Sequence, residues 1–121
     1  MKALFDTNIL IDYLNGVEPA RMEIERARER FISIVTWMEV RAGARDAEEE
    51  DVIDMFLRDF GIVDVTRRIA RDAVQIRRTH RIRLPEAIVW ASARSESAVL
   101  VTRNTKDFGK GQSGVRVPYS L

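Results

Sequence analysis

The chain opens with Lys2-Ala3-Leu4-Phe5-Asp6-Thr7-Asn8-Ile9-Leu10. The first four of these residues are nearly all apolar, as expected of a strand that is buried on both faces of a parallel sheet. The three polar residues that follow can cap a helix, and Ile9 and Leu10 begin an apolar stripe with helical spacing that ends at Gly16. A buried strand followed at once by an amphipathic helix is the repeating unit of an α/β fold.

The same alternation continues along the chain. We predict strands at residues 2–5, 31–35, 62–65, 98–102 and 115–117, the last of them an edge strand. We predict helices up to Gly16, from about Pro19 to the second strand, and at residues 36–43, 46–60, 66–80 and 85–97. This order predicts a three-layer α/β/α sandwich with a mostly parallel central sheet, formed by one domain over residues 1–121.

Composition excludes several classes of protein. A chain of 121 residues with 45% hydrophobic content suits one globular core. The absence of cysteine excludes disulfides, zinc–thiolate sites and thiol nucleophiles. Asp6 interrupts the N-terminal apolar run too early for a signal peptide, and no run approaches the ~20 apolar residues of a membrane span. We therefore expect a cytoplasmic protein without membrane contact.

The charges are unevenly distributed although the net charge is only +1. Seven arginines lie between residues 67 and 83, where Asp72 is the only acid, and an acidic block at residues 46–51 precedes them. Helical spacing places Arg67, Arg71 and Arg78 opposite the apolar line of their helix. We interpret most of both runs as solvated helix faces.

Four carboxylates follow predicted strands, either directly or through the first turn of a helix: Asp6, Glu39, Glu86 and Asp107. In an open parallel sheet, ligands bind outside the carboxyl ends of the strands, so these side chains can meet in one crevice. Grouped carboxylates repel one another, and a shared cation is the natural reason to gather them. Oxygen ligands, with no cysteine and a single histidine, favour Mg²⁺ or Mn²⁺.

Each acid also has an ordinary structural interpretation. Asp6 can cap the helix that follows it, and Thr36-x-x-Glu39 matches a capping box. Glu86 is favoured in a first helical turn by the helix dipole, and Asp107 can be a loop residue. The coincidence of all four at one edge of the sheet favours a common site.

Four segments, in this order, resemble the motifs of PIN-domain ribonucleases, and most of all the VapC toxins of VapBC toxin–antitoxin pairs. They are Leu-Phe-Asp-Thr-Asn-Ile-Leu-Ile-Asp at residues 4–12, Trp-Met-Glu-Val-Arg-Ala-Gly at 37–43, Leu-Pro-Glu-Ala-Ile-Val at 84–89 and Thr-Arg-Asn-Thr-Lys-Asp-Phe at 102–108. The resemblance implies a metal-binding set of Asp6, Glu39, Glu86 and Asp107, a polar site residue at Asn104, and supporting polar residues at Asn8 and Thr102. The family usually has aspartate in place of Glu86, whose extra methylene moves the carboxylate by roughly one bond length, and Mg²⁺ tolerates such displacement poorly.

The resemblance further implies an endoribonuclease that uses Mg²⁺ or Mn²⁺, with transfer RNA as a possible substrate. It implies a cognate VapB-type antitoxin that inhibits the enzyme and alone binds operator DNA, with a homodimer and a toxin–antitoxin hetero-oligomer as assemblies. The basic residues best placed beside the acids to steer RNA phosphates are Arg81, Arg83, Arg103 and Lys106.

Three alternatives remain open from the sequence. A catalytically weak or inactive PIN scaffold could act as a binding module, because Glu86 departs from the usual aspartate. A DNA-directed metal nuclease could use the same carboxylates. A receiver-type phosphoacceptor domain needs an aspartate directly after its third strand, whereas Asp64 lies inside the predicted third strand.

Overall fold

The computed structural model describes residues 1–109 and 111–121. Within them the elements are, in chain order, β1 (Lys2–Phe5), α1 (Thr7–Leu14), α2 (Glu18–Arg26), β2 (Glu29–Ser33), α3 (Ile34–Ala42), α4 (Ala47–Leu57), β3 (Gly61–Val63), α5 (Arg67–His80), α6 (Leu84–Ser95), β4 (Val99–Val101) and β5 (Val115–Arg116). No helix in these residues is long and apolar enough to cross a membrane.

The five strands form one sheet in the order β3-β2-β1-β4-β5, and every neighbouring pair is parallel. The chain moves outward from β1 to β2 and β3, then returns to place β4 on the other side of β1. The topology therefore reverses between β1 and β4, and a crevice opens at the carboxyl ends of these two strands. The predicted fold class and the edge position of the last strand are confirmed.

Helices cover both faces of the sheet. Successive residues of β1 point to opposite faces and are therefore buried against different helices. Ala3 and Phe5 are buried in a core shared with α1, α2, α3 and α4. Leu4 is buried in a second core, shared with α5 and α6. The central strand thus has no exposed face, which explains why its sequence is a continuous apolar run.

The second strand lies earlier than the sequence predicts. It ends at Ser33, whose hydroxyl accepts a hydrogen bond from the Val35 amide at 3.1 Å and thereby caps α3. Ile34 and Val35, β-branched residues that favour strands, are helical for this reason. The predicted helix start at Thr36 is therefore wrong by two residues, and Thr36 is a buried residue of the first turns.

Several other boundaries differ; the helix predicted at residues 46–60, for example, ends at Leu57. The helix predicted to run from Pro19 to the second strand ends at Arg26, and Ala27 is already extended, because the chain must turn there to lie beside β1. The third strand is Gly61–Val63, so Asp64 follows it rather than lying inside it.

The helix that leads to Glu86 has the predicted cap. The Thr66 hydroxyl accepts from the Ile69 amide at 3.2 Å, and Ile69, Ala73 and Ile76 face inward. The His80 ring packs against Trp90 of α6, with ring centroids 4.7 Å apart. This contact places the end of α5 against the middle of α6.

Candidate metal and active site

Asp6 lies at the reversal point of the sheet and is almost completely buried. Its amide donates to the Val101 carbonyl at 2.9 Å, which joins the ends of β1 and β4. Its carboxylate accepts from the Thr7 amide at 2.8 Å, from the Thr102 hydroxyl at 2.8 Å and from the Asn8 amide group at 3.3 Å. Asp6 therefore caps α1, as its structural interpretation requires, and also points its carboxylate toward the end of β4.

Glu39 does not close a capping box. Its Oε1 accepts a hydrogen bond from the Thr7 hydroxyl at 2.7 Å, which links α3 to the residue beside Asp6. The same hydroxyl lies 3.0 Å from that of the buried Thr36. The capping-box interpretation is wrong because the helix begins at Ile34, which moves Glu39 beyond the first turn.

Glu86 and Asp107 are joined by a guanidinium. Nη2 of Arg83 donates to Glu86 Oε1 and to Asp107 Oδ2, each at 2.9 Å. Asp107 also accepts from the Asn104 amide group at 2.9 Å. The second oxygen of Glu86 is buried and has no hydrogen-bond partner among the described residues. A buried carboxylate oxygen without a donor is available to bind an ion or a water.

The electrostatics show that the acids share one environment. Burial raises the pKa of Asp6, and the negative charges of Glu39 and Asp107 raise that pKa further, although the Thr102 and Thr7 hydrogen bonds oppose them. Burial is also the main cause that raises the pKa of Glu86. Glu39 and Asp107 therefore lie close enough to affect the pKa of Asp6, and Asp6 and Asp107 lie close enough to affect that of Glu86. We call Asp6, Glu39, Glu86 and Asp107 the acidic cluster.

Asp107 behaves differently within the acidic cluster. Burial acts to raise its pKa, but the hydrogen bonds from Asn104 and Arg83 outweigh burial, and the net pKa is below its ordinary value. Of the two carboxylates that Arg83 joins, Asp107 thus has its negative charge stabilised by several donors, whereas Glu86 retains an unpaired oxygen.

The four basic residues predicted to bind RNA have different surroundings. Arg83 is held by Glu86 and Asp107, and the Arg103 guanidinium is bonded to Asp12, outside the acidic cluster, at 2.7 and 3.0 Å. Arg81 is exposed and ends α5 in the left-handed conformation, with φ of 56°. The Lys106 side chain is exposed. Of these four basic residues, only Arg81 and Lys106 present exposed cations without an ion pair among the described residues.

Comparison with known proteins agrees with this geometry. The model of the PIN domain family matches residues 3–110. The chain belongs to the PIN domain family. The matched region runs from the second residue of β1 past the end of β4 and contains all four members of the acidic cluster.

Solved structures show the same PIN fold. A chain of a toxin–antitoxin complex from Klebsiella pneumoniae is 41% identical, with a TM-score of 0.93 over 99% of this chain and 100% of that one. FitAcB from Neisseria gonorrhoeae is 22% identical, with a TM-score of 0.78 over 98% and 99% of the two chains. DNA-bound VapBC from Salmonella typhimurium is 24% identical, with a TM-score of 0.76 over 96% of each chain. A comparison with curated protein sequences gave no match.

Proposed function

We propose that this PIN domain is a Mg²⁺- or Mn²⁺-dependent endoribonuclease and the toxin of a type II toxin–antitoxin pair. The observation that carries the proposal is the acidic cluster itself, gathered from distant segments at the reversal point of the sheet. PIN domains are generally nucleases, which supports the enzymatic part. The relative of 41% identity comes from a toxin–antitoxin complex, which supports the toxin part.

The donor set fits a hard divalent ion. Its members are carboxylates, and one oxygen of Glu86 is buried without a partner. In the described part of the chain no three carboxylates already stand at ligand distance from a single point. Arg83 instead supplies the positive charge between Glu86 and Asp107, so binding of an ion requires these side chains to adjust. Asp6, Glu39, Glu86 and Asp107 would hold the ion.

A bound divalent ion would lower the pKa of a coordinated water and stabilise charge on the phosphate. The protein's own side chains fix the geometry around it. Thr102 and Asn8 hold Asp6 in place, and Asn104 holds Asp107. Glu39 is the exposed member of the acidic cluster, and its Oε1 accepts a hydrogen bond from Thr7. Its other oxygen can accept a hydrogen bond from the attacking water. Such second contacts commonly determine how well ligands are oriented.

Arg83 is expected to compete with the ion. Arg83→Gln removes the guanidinium from Glu86 and Asp107, and the affinity of the metal-free protein for Mn²⁺ should rise. Because Arg83 is exposed, we expect an increase on the order of two- to fivefold, as for other exposed ion pairs. Electron paramagnetic resonance titration with Mn²⁺ measures it, with the exposed Arg58→Gln as the matched loss of charge. An affinity that falls in Arg83→Gln alone contradicts competition.

The proposed partners follow from the toxin role. A VapB-type antitoxin would inhibit the enzyme and would carry the contact with operator DNA, while the toxin forms a homodimer and a hetero-oligomer with it in the cytoplasm. Of the solved relatives, the VapBC of Salmonella typhimurium is described as bound to DNA. Transfer RNA is the proposed substrate class.

The test is cleavage by the purified chain. Structured RNA, including transfer RNA, is incubated with Mg²⁺, with Mn²⁺ or with a chelator, beside single-stranded and duplex DNA of matching sequence. We expect cuts in RNA that require the ion. Cleavage of DNA alone would identify a DNA-directed nuclease, and binding of RNA without cleavage under any ion would identify an inactive scaffold that Glu86 has weakened.

A further inference from the structure

A buried carboxylate outside the acidic cluster connects three distant parts of the chain. Asp12, on α1, is 4% exposed. It accepts two hydrogen bonds from Arg103, at 2.7 and 3.0 Å, and a third from the Tyr119 hydroxyl, at 2.8 Å. Burial and the bond to Asp12 both raise the pKa of Tyr119, so this phenol remains protonated and donating at neutral pH. We call these three residues the Asp12 node.

The Asp12 node holds the loop that carries Asp107. Arg103 lies between Thr102, which donates to Asp6, and Asn104, which donates to Asp107. The Arg103 amide also donates to Asn8 Oδ1 at 3.1 Å. The residues on both sides of Arg103 therefore touch the acidic cluster, while its own side chain is bonded to Asp12, which lies outside that cluster.

We propose that Asp12, Arg103 and Tyr119 are positioning residues, which set the distance between Asp6 and Asp107 by anchoring residues 102–107 to α1 and to the C-terminal segment. The proposal rests on the proposed nuclease function, since it assigns a role within that site. It replaces the sequence-based expectation that Arg103 contacts RNA.

The contacts favour positioning over phosphate binding. A guanidinium recognises a phosphate through the same planar fork with which it grips a carboxylate. Here the fork of Arg103 is already occupied by both oxygens of Asp12, in a site only one-third exposed on the arginine side. Release of Arg103 toward RNA would leave Asp12 buried with Tyr119 as its remaining donor, and an unpaired buried carboxylate is costly.

A second buried pair in the same molecule provides a matched control. Arg116 of β5 donates to both oxygens of Glu23, at 2.5 and 3.2 Å, and Glu23 is 5% exposed. This pair also ties the C-terminal part of the chain to a helix, α2. The backbone of Arg116 pairs with Thr102 in the sheet, where its carbonyl accepts from the Thr102 amide at 3.0 Å, but no side-chain hydrogen bond of the described residues joins Glu23 or Arg116 to residues 102–107. Loss of either pair should lower the melting temperature, and only loss of the Asp12 node should alter the site.

The experiment compares Asp12→Asn with Glu23→Gln. For Asp12→Asn we expect kcat for RNA cleavage and affinity for Mn²⁺ each to fall up to about 10-fold. This is the lower end of the roughly 10–100-fold cost of losing a direct partner of a metal ligand, because Asp12 acts one contact further out, through Arg103. KM and the salt dependence of RNA binding should stay close to those of the native chain. Glu23→Gln should match the native chain in both properties at a temperature where each variant is folded by circular dichroism.

Different outcomes separate the alternatives. Equal losses in the two variants would show that the Asp12 node acts only through stability, and a higher KM with unchanged kcat in Arg103→Gln would restore RNA binding by Arg103; either overturns the proposal. Tyr119→Phe removes one hydrogen bond without changing charge and serves if Asp12→Asn does not fold, with the same losses expected on a smaller scale. If the native chain cuts no RNA, the proposed function fails, while the Mn²⁺ affinities still test the positioning role.

Discussion

Asp6→Asn is expected to abolish RNA cleavage and, at the same time, to raise the melting temperature of the metal-free protein. Asp6 touches Thr7, Asn8 and Thr102 at the reversal point of the sheet. Loss of this proposed direct ligand should exceed the roughly 10–100-fold cost of losing an outer-shell partner. Burial and neighbouring negative charges raise the pKa of Asp6, which means that its charged form is disfavoured in the folded state. A neutral amide removes that penalty, and functional sites commonly show this opposition between activity and stability.

Cleavage rates and thermal melts on the same metal-free preparations measure both effects. Asp64→Asn is the control, because Asp64 is an exposed acid that lies outside the acidic cluster. It should leave cleavage and melting unchanged. Cleavage by Asp6→Asn at the native rate would indicate a contaminating nuclease or a different site. A lower melting temperature in Asp6→Asn would mean that its hydrogen bonds stabilise the fold more than its buried charge destabilises it.

Stabilisation by Mn²⁺ is expected to grow as pH rises. The folded-state pKa values of Asp6 and Glu86 lie above their ordinary values of 3.8 and 4.5. A raised carboxylate pKa contributes stability below the ordinary pKa, and this contribution is lost as pH rises through the folded pKa. The metal-free protein should therefore lose this part of its stability above about pH 4–5. The pKa of Asp107 is lowered in the folded state, so Asp107 has the opposite effect at lower pH: the stability that it contributes is lost as pH falls through its folded pKa.

Ion binding requires deprotonated carboxylates, so the affinity for Mn²⁺ rises over the same pH range in which the metal-free protein loses stability. At a free Mn²⁺ concentration of 100 times Kd the ion stabilises the folded state by about 2.7 kcal/mol. Melts with Mn²⁺ and with a chelator, across the pH range, measure the difference. In Asp6→Asn, this Mn²⁺-induced difference in melting temperature should depend less on pH. A Mn²⁺-induced shift that is constant with pH in the native chain would exclude titration of these carboxylates as its origin.

Much of the fold was predictable because its signals are local. The strand Lys2–Phe5, the Thr66 cap and the inward line of Ile69, Ala73 and Ile76 are each encoded within a few residues. The second strand was misplaced because Ile34 and Val35 favour a strand by their side chains. Ser33 caps a helix there instead, and a capping serine carries no local sign that distinguishes it from an ordinary strand residue.

The candidate site was predictable in its acids and not in its connections. Asp6, Glu39, Glu86 and Asp107 each follow a strand or a helix start, a relation that the one-dimensional pattern preserves. The pattern also matched Glu39 to a capping box, whereas the structure bonds it to Thr7 across 32 positions of sequence separation. The sequence assigns Thr36 to a helix cap and gives Thr7 no contact with Glu39, although Thr7 lies between two recognised polar residues of the first motif.

The sequence by itself determined the order of strands and helices along the chain, the side of each helix that is buried and the acids available to bind a cation. These features are local, because periodicity and the position of a strand end depend on neighbours along the chain. Only the tertiary structure decided which cations those acids meet. Arg83 turns toward Glu86 and Asp107, and Arg103 turns toward Asp12, which lies 91 positions away. The physical reason is that an arginine side chain pairs with whichever carboxylate the folded chain brings within reach. That distance is determined by the pairing of β1 with β4, which brings distant segments together, and not by local sequence.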